Sequence, residues 1–470
     1  MNKSKLLIYV IIVISIVLCI PSMMYLINNK TVDGFDGYYT FLLIKSTDLE
    51  TRILSGIIVI GLLLIFSLLY LGIIKKQNEL LKTRKKAMIF ILLISFIFML
   101  ILPFFSSDIY YYLGDSWLEA KYGENPYYTS VADLKQTGVQ DEILNNTGCW
   151  EETTSVYGPL WSMISRVLVS FSFGNVTIAL FIFKVANYII HVVNCYIIYK
   201  ITKSVKYMLV YGLNPLVLIE YLSNVHNDIY LIFFVLLALY YLIRKKNIYC
   251  TILFLALSIS IKFSTVLLVP FILIYYFRNE KIAKRILYCL ISGLSIIGIV
   301  VLLYLPYYQD NTIFTNMLVQ GSKYSQSIML YLLLNLKNGA FEMISKLLIP
   351  VFLIVYTTNI AILLFKNKLK TREIFGKYNI FMLIFIFVVL TNFQRWYVIW
   401  LLPTIIWQGK NMRQFILNIT ITAIIPTLNY FPVEAEPYAR GIFYSITVLV
   451  LSVVILVANR RKCLVKKIQV

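Results

Sequence analysis

The sequence predicts an all-α fold, a polytopic transmembrane bundle of about 12–14 spans. Three observations predict it. Of the 470 residues 60% are hydrophobic and only 14% charged, with a mean hydropathy of +0.80, too little polar side chain to clothe a soluble globule. Apolar runs near the length that crosses a bilayer, about 20 residues, recur along the chain, beginning with residues 6–27, 53–74 and 87–105. The bases gather in short clusters between these runs: Lys75, Lys76, Lys82, Arg84, Lys85 and Lys86, then Arg244 to Lys246, Arg278 to Arg285, Lys366 to Arg372, and Arg460 to Lys462.

That clustering explains the net charge of +21. It lacks the continuous basic stripe of a nucleic-acid surface and follows the positive-inside rule of cytoplasmic loops, so the expected partner is a lipid bilayer and not nucleic acid. The six cysteines are scattered without a CxxC pair, which indicates neither a metal cage nor a disulfide framework. The first run is long for a signal peptide and reads as a retained helix.

With the N-terminus inside, the first helix exits, residues 53–74 return to the basic loop 75–86, and residues 87–105 exit again. Loop 106–160 then lies outside. It carries nine acids, from Asp108 to Glu152, against Lys121 and Lys135 alone. Residues 160–173 are apolar but hold Arg166 and several serines, and counting them as a span would turn the later basic clusters outward, so they read as interfacial. Spans follow at 176–199, 207–222, 228–243, 249–262, 264–277 and 286–306, then an outer loop 307–327, then 341–365, 378–392, 396–408, 415–431 and 440–458. One integral-membrane domain, 1–470, results: two N-terminal helices in 1–86, a core module in 87–277 containing loop 106–160, and C-terminal helices in 278–470. Short paired spans suggest a cavity open to one leaflet.

Candidate chemistry collects on the predicted outer side. Asp108 follows Pro103-Phe104-Phe105-Ser106-Ser107 at the outer end of the third helix. A partly desolvated carboxylate there can act as a general base, although an Asp before a helical run equally suits an N-cap. Asn224-Val225-His226-Asn227-Asp228 forms an outer turn that could bind a phosphate or sugar, or simply cap the next helix. Lys262, Arg395 and Lys323 are among the few bases on that side. A lysine at membrane depth suits a lipid phosphate, or snorkels to the headgroups. Tyr157 belongs with Tyr110 to Tyr112, Tyr122, Tyr127 and Tyr128 to an aromatic set that suits an interfacial belt or a sugar face. His191, mid-span, reads as a packing residue or an interhelical bond. No Walker A, GxGxxG, HExxH or DxD motif is present, against a nucleotide-consuming active site.

Taken in order, several short motifs resemble a known family. They are Pro103 to Tyr112, Gly123-Glu124-Asn125-Pro126-Tyr127, Tyr157-Gly158-Pro159-Leu160, Asn214-Pro215-Leu216, His226-Asn227-Asp228, Lys262 with the apolar run to Pro270, and Gln394-Arg395-Trp396-Tyr397 with Trp400 and Pro403. The resemblance is to the GT-C type integral-membrane glycosyltransferases, most of all the polyprenol-phosphomannose-dependent alpha-1,6-mannosyltransferases of actinobacteria, and it covers roughly residues 100–405.

What it implies is inverting transfer of mannose or another hexose, at the outer face, from a polyprenyl-phosphate carrier to a hydroxyl of a cell-envelope glycan or glycolipid. Asp108 matches the family's catalytic aspartate. His226, Asn227, Asp228, Lys262, Tyr157 and Arg395 would bind substrate, with Lys262 and His226 steadying the departing phosphate. No bound cofactor and no obligatory metal are expected, with Glu151 and Glu152 the acids that keep a metal open. The chain's richness in Ile, Lys and Asn departs from the actinobacterial relatives, which leaves sugar and linkage open. A transporter or flippase of lipid-linked glycans is the alternative from another class, disfavoured because transporters place ionisable groups at the bilayer midplane. A ligase or polymerase of lipid-linked glycans shares the carrier and the face.

Overall fold

A helix in lipid must satisfy every backbone group internally, so long apolar runs have no other regular structure open to them. A computed structural model of the protein describes residues 3–29, 49–104, 106–148, 150–313, 315, 340–390 and 393–405. Among the described residues the regular structure is helical throughout. Among the described residues five helices are long and apolar enough to cross a membrane, lying at Lys5–Asn29, Ile57–Leu80, Val176–Thr202, Ile282–Tyr304 and Lys346–Phe365. The protein is therefore an all-α, multi-pass membrane bundle. The spans expected at 415–431 and 440–458, and Lys323, lie outside the described residues.

The described residues form two compact units. The first holds residues 3–263 and 298–313. It begins with α1 (Lys3–Asn29), α2 (Leu49–Leu80) and α3 (Arg84–Leu100), the last capped by the Thr83 hydroxyl on the Lys86 amide. Then come α4 (Asp108–Tyr122) and two short pieces, α5 (Val131–Gln136) and α6 (Glu142–Asn145). Next is α7 (Pro159–Ser170), whose 12 residues reach about 18 Å, short of the roughly 30 Å hydrocarbon core. It is too short to span alone.

After α8 (Val176–Thr202) and α9 (Val205–Gly212) the chain departs from the single span expected at 207–222. Pro215 lacks the amide a continuing helix needs. The Asn214 side chain instead caps α10 (Pro215–Val217), which runs into a π-helical turn, Leu218–Ser223. A bend of 120° separates this piece from α11 (Asp228–Tyr240), so the expected tight turn at residues 224–227 is present. α12 (Ile248–Ile259) completes the hairpin.

The second unit holds residues 264–297 and 340–405. Here α13 (Val269–Tyr276), α14 (Ile282–Tyr304), α15 (Ala340–Phe365) and α16 (Thr371–Ile384) precede the 3-10 helix Arg395–Leu401 and α17 (Leu402–Ile405); the end of α14, from Gly298 on, belongs to the first unit. Arg285, buried at the start of α14, donates to the carbonyls of Phe277, Arg278, Glu280, Leu364 and Lys366, tying together three helix ends. Rows of exposed apolar side chains run along α14 and α15, such as Leu287, Leu290, Leu294 and Ile354. Water would penalise such rows, and lipid does not.

Within the first unit, charge divides the helix ends into two groups. Arg84 at the start of α3 lies over the Tyr199 ring near the end of α8, and Arg244, just past α11, donates to the Ile201 carbonyl at 2.7 Å. This basic end is the one where Lys200, Lys203, Lys245 and Lys246 also fall. The opposite ends of α3, α11 and α12 meet at Asp108, His226, Asp228 and Lys262.

Candidate active site

The segment Ile101 to Ser107 links α3 to α4 and carries Asp108 to its place. Three side chains fix it. Ser22 accepts from the Leu102 amide at 2.9 Å, Asn224 accepts from the Phe104 amide at 3.2 Å, and Lys184 donates to the Ile101 carbonyl at 2.6 Å. Lys184 is wholly buried in α8 and also donates to the carbonyls of Leu222 and Ser223, at 3.0 and 2.9 Å. One lysine therefore joins the approach to Asp108 with the π-helical turn.

Asp108 is the first residue of α4, and Ser107 occupies the cap position. In the first turn the helix dipole favours its negative charge. Its carboxylate is 21% exposed and lies 3.6 Å from His226 Nδ1. The other ring nitrogen of His226 lies 3.3 Å from Glu220 Oε2, and both His226 and Glu220 are completely buried. Glu220 also accepts from Asn224 Nδ2 at 2.8 Å. Val225, just before His226, holds φ of 63°, a left-handed conformation that β-branched residues rarely adopt and that marks a constrained turn.

On the same hairpin Asp228 opens α11 with its side chain completely buried, and Lys262, 19% exposed, approaches its two oxygens at 3.2 and 3.3 Å. The ammonium also stands over the Tyr157 ring, 5.8 Å from its centre. Tyr157 packs edge-on against Tyr112, and Asn227 accepts from the Tyr112 hydroxyl at 3.5 Å. Burial, reinforced by Tyr112 and Asp108, pushes the Tyr157 hydroxyl well above the ordinary tyrosine range, so it remains a neutral donor.

Two of the sequence motifs act as scaffold. The Gly158 and Leu160 amides each donate at 3.0 Å, to the Ile261 and Ser260 carbonyls, which brings Tyr157 and Lys262 together. A Cβ at Gly158 would run into the Ser260 carbonyl, so only glycine fits. In Gly123 to Tyr127, Gly123 ends α4 at φ of 71°, Asn125 bonds the Tyr127 amide and the Tyr307 carbonyl, and the Tyr127 hydroxyl donates to the Tyr157 carbonyl at 2.8 Å.

Further out, Asp141 accepts from Trp117, Lys121 and Tyr122. Burial works against its ionisation, but these bonds and the Leu144 amide prevail and hold it below the ordinary range. Asp115 has the opposite fate. Burial, with the nearby Ser155 opposing and Glu119 adding, pushes it up to about 8. Among the described residues no group of three or more His, Cys, Asp or Glu could hold a metal ion.

Residues 14–278 of the sequence match the family model of the alpha-(1->6)-mannopyranosyltransferases, N-terminal domain. The chain belongs to that family. It is a glycosyltransferase with a multi-pass membrane fold, as the resemblance of its motifs implied. Comparison with curated proteins and with solved structures gave no match.

Within this mannosyltransferase-family unit, six of the seven expected site residues come together: Asp108, Tyr157, His226, Asn227, Asp228 and Lys262. Arg395 belongs to the second unit, where its guanidinium lies over the Trp396 ring at 5.6 Å. His191 stacks on Tyr211 and its Nε2 lies 3.2 Å from the Gly212 carbonyl, the interhelical bond expected of it. Sequence reasoning missed Glu220 and Lys184. Each is a lone ionisable residue inside an apolar run, a signal that by itself marks a partnered or functional group in a membrane protein.

Proposed function

We propose that this chain moves a hexose, mannose or a close relative, from a polyprenyl-phosphate carrier to a hydroxyl of a cell-envelope glycan or glycolipid, with inversion. The observation that supports this most is Asp108. It is the partly exposed carboxylate of a site that also presents a partly exposed lysine, at the helix ends opposite the Arg and Lys clusters. Under the positive-inside rule such clusters face the cytoplasm, which supports an extracytoplasmic site in the cell membrane.

In this reading the acceptor hydroxyl gives its proton to Asp108 as its oxygen bonds the anomeric carbon, and the bond from that carbon to the phosphate oxygen breaks. Lys262 meets the negative charge left on the phosphate. Its bond to Asp228 holds the ammonium in place, and Tyr157, under it, supplies an aromatic surface and a neutral hydroxyl. Asp228 and Glu220 are completely buried and offer no second carboxylate to the far face of a sugar. A single displacement, which inverts, suits one exposed carboxylate better than the paired carboxylates of a retaining mechanism. Asn227 and Arg395 are assigned to substrate binding on the family resemblance.

The test is transfer of radiolabelled sugar from synthetic polyprenyl-phosphate donors to membrane-extract acceptors by purified protein. Wild-type transfer that disappears in a folded Asp108→Asn variant supports both reaction and base. Transfer that survives the substitution removes Asp108 from the role, and no transfer from any donor overturns the assignment of donor class.

A further inference from the structure

His226 stands between two carboxylates. Its Nδ1 is 3.6 Å from Asp108 Oδ2 and its Nε2 3.3 Å from Glu220 Oε2, and neither its ring nor the Glu220 side chain has any exposed surface. A residue so enclosed reaches a substrate only through Asp108. The enclosure is also well built. Asn224 bonds Glu220 from one side and the Phe104 amide, in the approach to Asp108, from the other, at 2.8 and 3.2 Å. The His226 amide donates to the Glu220 carbonyl at 3.0 Å, and Lys184 fixes the ends of the two segments that carry the carboxylates. Seating a histidine and a glutamate completely out of solvent is costly unless they are paired, and here each has the other.

We infer that His226, backed by Glu220, positions Asp108 and relays onward the proton that Asp108 takes from the acceptor. The inference rests on the reaction proposed above. The relay requires a resting ring whose one proton sits on Nε2, the nitrogen 3.3 Å from Glu220, with Nδ1 facing Asp108. When Asp108 gains the acceptor's proton, the Asp108 O–H bond breaks as an Nδ1–H bond forms. The Nε2–H bond breaks in turn as Glu220 Oε2 is protonated. Asp108 is a carboxylate again, the ring is neutral in its other tautomer, and the proton rests on Glu220. The reverse transfers return it through Asp108, the exposed member, to water. The 3.6 Å gap suits this order, since catalytic contacts are commonly long in the empty site and tighten with substrate bound. The other ionisable groups on the elements packed here are Lys184 of α8, which bonds the Leu222 carbonyl of the π-helical turn, Asp228 with its partner Lys262, and Tyr221, which lies within electrostatic reach of both Glu220 and Asp228.

Glu220→Gln is the informative variant, because a glutamine oxygen still accepts from Nε2–H but cannot take the proton. With a polyprenyl-phosphate-hexose donor and the full chain, kcat should fall on the order of 10- to 100-fold, the donor KM should stay unchanged, and the pH profile of kcat should move. Glu220→Asp should recover part of the rate. A Glu220→Gln enzyme with wild-type kcat and profile overturns the relay. So does a raised donor KM at unchanged kcat, which would make His226 a ligand of the departing phosphate. The chain has only two histidines, so ring ¹⁵N NMR of the wild type gives a second measurement that needs no variant to fold. A neutral ring protonated on Nε2 is expected, and a proton on Nδ1 in the resting protein overturns the proposal. Wild-type transfer is the control that separates this failure from failure of the donor assignment.

Discussion

Lys184 Nζ lies 2.6 Å from the Ile101 carbonyl, so a lysine from the third turn of α8 holds the segment that delivers Asp108. Its two further bonds, to Leu222 and Ser223, hold the turn that carries Glu220. Burying this polar nitrogen is tolerable because three carbonyls replace its water.

Lys184→Met should therefore leave three buried carbonyls without their donor. At about 1–3 kcal/mol for each unsatisfied group, the loss is large against a typical margin of roughly 5–15 kcal/mol. Thermal unfolding of the purified protein should show a substantial drop, with Lys184→Arg intermediate. An unchanged midpoint in Lys184→Met would dismiss the anchoring role.

A second prediction concerns the approach of two backbones. Gly158 has no space for a side chain against Ser260, and its amide and that of Leu160 hold the stretch that ends at Lys262. Gly158→Ala should force these strands of chain apart, at about 1–3 kcal/mol, and shift Tyr157 from beneath Lys262. The expected result is a lower unfolding midpoint together with a raised donor KM. Wild-type behaviour in both measurements would show that the backbone yields without moving the site.

The third prediction is a pH dependence with a definite sign. Burial raises Asp115 to about 8 in the folded protein, against about 3.9 in an unfolded chain. The folded state thus binds more protons than the unfolded state between those values, and stability falls as pH rises through that window. The contribution is fully present below about pH 4 and lost as pH passes 8. Asp141, held below the ordinary range, contributes the reverse slope at lower pH, where its stabilisation is lost on acidification. Asp115→Asn should raise the unfolding midpoint at pH 8 and change little at pH 4. Equal effects at both would mean that Asp115 is not titrating in this window.

What the sequence made legible follows the solvent. Lipid demands long apolar helices, and those expected at 176–199, 286–306 and 341–365 match α8, α14 and α15 closely. The acidic excess of loop 106–160 and the basic clusters predict Asp108, His226, Asp228, Lys262 and Arg395 on one face, and the first four meet within the first unit while Arg395 belongs to the second. Pairing was not legible. Nothing in the spacing of Glu220 and His226 says that a π-helical turn brings their side chains within 3.3 Å. The break at Asn214-Pro215 was also missed, because apolar composition continues through it while the missing proline amide interrupts the helix. The motifs of the family resemblance do not say what each member does, and Gly158 and Tyr127 act through backbone fit and a carbonyl bond.

The last prediction separates structure from chemistry at Lys262. Asp228 is completely buried and its bonds to the Lys262 ammonium are 3.2 and 3.3 Å long, while Lys262 keeps access to solvent. The two partners are therefore unequal. Lys262→Met leaves a carboxylate in a dry site, a change that typically costs about 3–5 kcal/mol. Asp228→Asn leaves an ammonium that can still turn toward water, so its cost should be smaller. The double variant, Lys262→Met with Asp228→Asn, removes both charges and should regain most of the stability that Lys262→Met loses. Transfer should not return with it, because the cation that meets the departing phosphate is still absent. The measurement is a double-mutant cycle read twice, once by thermal unfolding and once by sugar transfer. Strong coupling in stability with an additive loss in transfer is expected. Recovery of transfer along with stability in the double variant would show that Lys262 serves the fold alone, and that another group meets the phosphate.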